Sequence, residues 1–147
     1  MKLRYLTLAV CGIATNGCGN FYDLKCEDIE GSSSYSVSVE EGDEPEFSWT
    51  GGNANYLGVY GCSLDDYKDP EADCDILWQV RGVSDEIDDN TIVSPVTYGQ
   101  DSITGGAEDA EAEALVSGET YTVSADWGCR QTGGNSGRGV EAEFDMP

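Results

Sequence analysis

From Thr120 to Trp127 the chain reads TYTVSADW, and from Val140 to Asp145 it reads VEAEFD. Apolar residues fall on every second position: Tyr121, Val123, Ala125 and Trp127 in the first stretch, Val140, Ala142 and Phe144 in the second. A period of two is what a strand with one buried face requires, because successive side chains leave a pleated backbone on opposite sides. The pattern recurs upstream. Tyr35, Val37 and Val39 alternate with serines, Phe47 and Trp49 follow Pro45, and Leu57 and Val59 alternate with Tyr56, Gly58 and Tyr60. Ile76, Trp78 and Val80 come next, then a run from Ile92 to Tyr98. Glycine-rich turns separate these segments, so an all-β domain of seven short antiparallel strands is expected. Ala107 to Leu115 (AEDAEAEAL) is built of good helix formers, yet Ala110, Ala112 and Ala114 alternate with Glu111 and Glu113 as in an outer strand, and strand is the reading adopted.

The first residues belong to a different physical regime. Lys2 and Arg4 precede an apolar run, Tyr5 to Ala14, and small or polar residues follow, the layout of a secretory signal. The run is about ten residues long, half of the roughly twenty that a helix needs to cross a bilayer. Thr15-Asn16-Gly17-Cys18 resembles the lipobox of bacterial lipoproteins, in which a small residue precedes a cysteine that is acylated and becomes the new N-terminus. Gly17 fits that pattern, whereas Thr15 and Asn16 stand where such proteins usually carry Leu and a small residue. Residues 1–17 are thus expected to be a signal peptide and Cys18 the lipidation site, with Gly19 in the next place resembling lipoproteins sorted to the outer membrane. The alternative is cleavage near Ala14 and a secreted domain with a thiol at Cys18. Residues 19–34 end in Glu30-Gly31-Ser32-Ser33-Ser34 and have the composition of a flexible tether, reaching at most about 50 to 60 Å. Residues 35–147 are long enough for a single core.

Cysteine arithmetic agrees with export. With Cys11 in the signal and Cys18 acylated, Cys26, Cys62, Cys74 and Cys129 remain, an even number suited to two disulfides in any of three connectivities. A zinc site is a poor rival, since no CxxC pair and no histidine are present.

Charge sets the class of partner. The chain carries 29 Asp and Glu against 7 Lys and Arg, a formal net charge of −22. Without Lys2 and Arg4, five cations face those 29 carboxylates, a formal −24. Such a field repels nucleic acid and anionic lipid and favours solubility and cations. The low lysine content resembles halophilic or marine proteins.

Short strands and turns at this spacing point to a β-sandwich of immunoglobulin-like topology. FSWTGG around Trp49 and ALVSGETYTVSADW, with Leu115, Gly118 and Tyr121, resemble the fibronectin type III family, which has a core Trp on its second strand and a Leu, Gly and Tyr leading into its sixth. The resemblance spans residues 35–147 and implies that Tyr121 occupies a tyrosine corner. The chain is also similar to small Gram-negative lipoproteins carrying one such sandwich. That arrangement implies the pairing: Cys26 and Cys129 share one pole and Cys62 and Cys74 the other.

Three features bear on activity. LDDYKDPEADCD spaces hard oxygen ligands, among them Asp69, Glu71, Asp73 and Asp75, as calcium requires. The EF-hand pattern fails, however, because Cys74 and Val80 stand where Gly and Glu are needed, and a solvated acidic loop is the simpler reading. Tyr56, Tyr60, Tyr67 and Tyr98 would supply an aromatic platform for a glycan, or simply cover a sheet face. With no histidine and no GxxxxGK[ST] run, neither a Ser-His or Cys-His nucleophile nor a phosphate loop is available. The expectation is a non-catalytic, lipid-tethered interaction or adhesion module meeting an envelope or extracellular protein. The alternatives are a carbohydrate- or calcium-binding module and a structural envelope protein without a discrete ligand.

Overall fold

The computed structural model describes residues 25–29, 32–86, 89–131 and 134–147. The signal segment 1–17, Cys18 and Gly19 lie outside the described residues. The elements, in order, are α1 (Cys26–Ile29), β1 (Ser36–Glu40), β2 (Glu46–Thr50), β3 (Tyr56–Tyr60), α2 (Leu64–Lys68), β4 (Ile76–Gly82), β5 (Val96–Thr97), β6 (Gly106–Ala110), β7 (Thr120–Gln131) and β8 (Gly134–Asp145). They build two antiparallel sheets, β1-β2-β5 and β6-β4-β3-β7-β8. The all-β sandwich expected from the alternation is therefore present.

Three local expectations need correction. Eight strands form among the described residues, not seven, and the strand read at Ala107–Leu115 lies earlier, at Gly106–Ala110, leaving Glu111 to Leu115 outside it. The Ile92–Tyr98 run pairs only at Val96–Thr97, with Ile92 bridging Ala54 in isolation. Pro95, which has no amide hydrogen to give to a ladder, interrupts it. The third correction concerns the tether. Cys26 and Ile29 of α1 are buried in the core, and Ser32 N donates to Ile29 O at 3.2 Å. The folded unit thus includes Lys25–Ile29, whose polar neighbours hid two anchoring side chains.

The core lies between the sheets. Phe47 from the three-stranded sheet meets Trp78 and Phe144 of the other at ring-centroid distances of 6.4 and 5.5 Å. At the opposite end Tyr35 packs edge-on against Trp127 at 5.0 Å. Two disulfides close the molecule, Cys26–Cys129 and Cys62–Cys74, the pairs that the fibronectin-like arrangement implied. The first ties α1 to the far end of β7. The second closes the loop that carries α2, and this loop decides what happens on the outer face of the large sheet.

Candidate binding site on the outer face of the five-stranded sheet

Leu57 and Val59 of β3 point into the core, so Tyr56, Gly58 and Tyr60 point outward. Register places Tyr56 opposite Asp126, Gly58 opposite Ser124 and Tyr60 opposite Thr122 on β7. On the next strand Glu143, Glu141 and Gly139 of β8 stand opposite Thr122, Ser124 and Asp126. Tyr56 lies along the sheet over Gly58. A Cβ at Gly58 would come within 2.7 Å of the Tyr56 hydroxyl, so a glycine is required for the ring to lie there. The Tyr56 hydroxyl then reaches that of Tyr60 at 2.8 Å.

The disulfide-closed loop folds α2 over this face. Ser63 caps the helix by accepting from Asp66 N at 3.2 Å, as N-cap serines do. Leu64 N donates to Glu143 Oε2 at 2.9 Å, fastening the helix start to β8. Tyr67 then rests on Tyr60 with ring centroids 4.7 Å apart and planes at 60°. Covered in this way, Thr122 and Ser124 are fully buried although they point away from the core. Thr122 satisfies its hydroxyl by donating to Cys62 O at 3.0 Å.

Asp126 is the unusual member. Its carboxylate oxygens accept from Ser124 Oγ at 3.3 Å each, and among the described residues it has no ion pair. Burial pushes its acid up to about 6; the Ser124 hydroxyl opposes the shift and the nearby Glu141 adds to it. Burial also raises the Glu141 acid and the Tyr56, Tyr60 and Tyr67 phenols, all three of which stay neutral at physiological pH. Two nearby cations are turned to other groups. Arg81 Nε binds Asp109 Oδ2 at 2.7 Å while its guanidinium lies 6.0 Å from the Tyr56 ring centroid, and Lys68 acts on Glu141.

A recess of about 300 Å³ opens here, lined by Asn55, Tyr56, Tyr60, Asp126, Gly128 and Gly137, with Trp127 bordering it. Its walls are fixed by backbone bonds: Asn55 N donates to Asp126 O at 2.8 Å. Asn90 Oδ1 accepts from Gly128 N at 2.7 Å, and its Nδ2 donates to Gly128 O at 3.2 Å. Two glycines of β8 lie beside the recess. A Cβ on Gly139 would run into Asp126 Oδ1, and one on Gly137 would meet open space.

The residues singled out from sequence are distributed unevenly. Tyr56, Tyr60 and Tyr67 are brought together, but Tyr98 is not part of the group. It packs on Trp78 at 5.2 Å beside the core, and its hydroxyl donates to Glu113 O at 2.8 Å. Burial, with Glu113 beside it, pushes that phenol up to about 12. The acidic loop does not close into a cage. Asp69 Oδ1 accepts from Glu71 N at 2.9 Å, and among the described residues no three His, Cys, Asp or Glu gather to hold a metal ion. Asp69, Glu71, Asp73 and Asp75 are thus not gathered about one point. Asp126 and Gly139 escaped sequence reasoning because an outward Asp on an alternating strand reads as solvated; only the β3–β7–β8 register exposes them.

No helix among the described residues is long and apolar enough to cross a membrane. No family model, no curated protein and no solved structure matches the chain.

Proposed function

We propose that the protein is a non-catalytic interaction module of the bacterial envelope, tethered through an acylated Cys18 and meeting its partner through the outer face of the five-stranded sheet. One observation carries this reading: polar residues on that face are buried under tyrosines and α2 around a recess, with Asp126 in its lining and no cation among the described residues paired to its carboxylate. A face that served only as solvated surface would have no reason to desolvate a carboxylate, which costs stability without a partner.

A fibronectin type III-like type for the sandwich accords with two features. First, β1, β2 and β5 lie in one sheet and β3, β7 and β8 in the other, as strands A, B, E and C, F, G do in immunoglobulin-like sandwiches, with β6 an added edge beyond β4. Second, the Tyr121 hydroxyl accepts from Val116 N at 2.8 Å, five residues upstream, the bond of a tyrosine corner. The signal-like N-terminus and the Gly17-Cys18 pair support the tether.

The full chain expressed in a Gram-negative host tests both parts. Intact mass from membranes should equal the chain from Cys18 plus a diacylglycerol and an acyl group; an unlipidated mass starting near Thr15 removes the tether. A photo-crosslinking residue at Glu141 should capture one envelope protein that the same residue at Ser38, on the other sheet, does not. Identical capture from both positions removes the docking face.

A further inference from the structure

We infer that the recess on this face receives a cationic side chain, a lysine ammonium or arginine guanidinium, presented by a basic segment of the partner protein. The inference rests on the interaction reading above and names the chemistry of the partner.

Size, charge and wall chemistry agree. A volume of about 300 Å³ stands at the lower end of ligand pockets, room for one side chain rather than several sugar rings. Asp126 is the acid in the lining of the recess, and among the described residues its carboxylate is bonded to the Ser124 hydroxyl alone. Its ionisable neighbours are Glu141 and the neutral phenols of Tyr56, Tyr60 and Tyr67, while Arg81 is held by Asp109 and Lys68 lies toward Glu141. An incoming cation would therefore supply the compensation that the fold withholds. Aromatic faces attract cations, and Arg81 beside the Tyr56 ring already uses one of them. A pyranose ring, by contrast, wants a flat aromatic surface, and the Tyr60 and Tyr67 planes are inclined by 60°. The position of the carboxylate depends on Gly139, where any side chain would displace Asp126. The net charge of −22 steers a basic segment toward the molecule from a distance.

The test uses the full chain and blocked pentapeptides of glycine with one central Arg, Lys or Gln, alongside a neutral cello-oligosaccharide. The Arg or Lys peptide should bind, with the Gln peptide weaker by about tenfold or more. Asp126→Asn should weaken the cationic peptide by about tenfold or more, whereas Glu40→Gln, the same charge change on the other sheet, should do so less than about twofold. Gly139→Ala keeps every charge and should match the Asp126→Asn loss. Circular dichroism checks that each variant is folded. Equal losses from Asp126→Asn and Glu40→Gln would overturn the inference in favour of the general field of the molecule. No binding by either cationic peptide, or binding of the oligosaccharide alone, overturns it as well. Crosslinking at Glu141 would survive each of those failures, so the docking face and its cation chemistry fail separately.

Discussion

The two sheets present outer faces built from the same alternating pattern and finished in opposite ways. On the three-stranded sheet Ser36, Ser38 and Glu40 stand opposite Thr50, Ser48 and Glu46. Their hydroxyls bond at the surface, Ser36 Oγ with Thr50 Oγ1 at 3.0 Å and Ser38 Oγ donating to the Ser48 carbonyl at 3.3 Å, in reach of water. On the five-stranded sheet the equivalent layer holds Thr122 and Ser124, both fully buried, and Asp126 beneath tyrosines. Alternation therefore fixes which way a side chain points, and a separate device decides whether water reaches it. That device is the loop between Cys62 and Cys74, which lays α2 and Tyr67 over one face and has no counterpart among the described residues on the other.

The largest expected effect should leave this contrast untouched. Phe47 is fully buried and joins its own three-stranded sheet to the five-stranded one through Trp78 and Phe144. Phe47→Ala should cost about 3–5 kcal/mol in denaturant unfolding, because it removes core area and leaves a cavity. Hydrogen exchange should then speed up in β1–β2 and in β3–β7 alike. The second effect should break the contrast itself. The pair Cys62→Ala and Cys74→Ala opens a loop with a sequence separation of 12, worth about 3 kcal/mol on the chain-entropy model. Amides of α2 should exchange faster while those of β1 and β2 shift only in proportion to global stability. Slow exchange persisting in α2 would mean that Leu64–Glu143 and Tyr60–Tyr67 hold the cover without the disulfide.

How far the sequence could be read follows the same division. The alternation from Tyr121 to Trp127 orients β7 without help, and the sandwich class follows from several such runs. Ile92–Tyr98 misled because its apolar spacing is strand-like while Pro95 denies it a ladder. Residues 25–29 misled in the other direction: a polar stretch hid Cys26 and Ile29, whose burial depends on the distant partner Cys129. At the site, Tyr56 and Tyr60 were legible as an outward pair on one strand. Tyr98 was grouped with them by residue type alone, and Asp126 was overlooked because its burial arises from three strands and α2 meeting, a property of register that no local window contains.

Asp126→Asn measures the cost of a covered charge against an uncovered one. The Asp126 acid is raised from its ordinary value to about 6, mainly by burial. The folded state thus binds this proton more tightly than the unfolded state. The contribution to stability is fully present below about pH 4 and is lost as pH rises through about 6. By pH 7 the penalty is on the order of 2–3 kcal/mol. Asp126→Asn should therefore raise stability at pH 7 by up to that amount and match the wild type near pH 4, read from paired denaturation curves across the range. Glu141, which also faces this carboxylate and has a raised acid, stays in both proteins, so its titration largely cancels in the difference. A flat difference across pH would mean that water reaches Asp126 as freely as it reaches Glu40. A variant that is more stable yet binds the cationic peptide less well is the pattern expected of a residue kept for binding.

The finest comparison sets one hydroxyl pair against another. Tyr56→Phe removes the Tyr56–Tyr60 bond of 2.8 Å but leaves the ring on Gly58, so the change isolates a hydrogen bond in a half-buried layer. A net loss of about 1 kcal/mol is expected, since the Tyr60 hydroxyl is left beneath α2 with less water to replace its partner. Ser36→Ala removes the bond to Thr50 Oγ1 on the exposed face, where water substitutes at once, and should stay within about 0.5 kcal/mol. The loss at Tyr56 should shrink when Cys62 and Cys74 are both replaced, because an uncovered Tyr60 regains solvent. If Tyr56→Phe proved as neutral as Ser36→Ala in the intact protein, the tyrosine hydroxyls would be solvated, and the difference between the two faces would reduce to ring packing and the single carboxylate of Asp126.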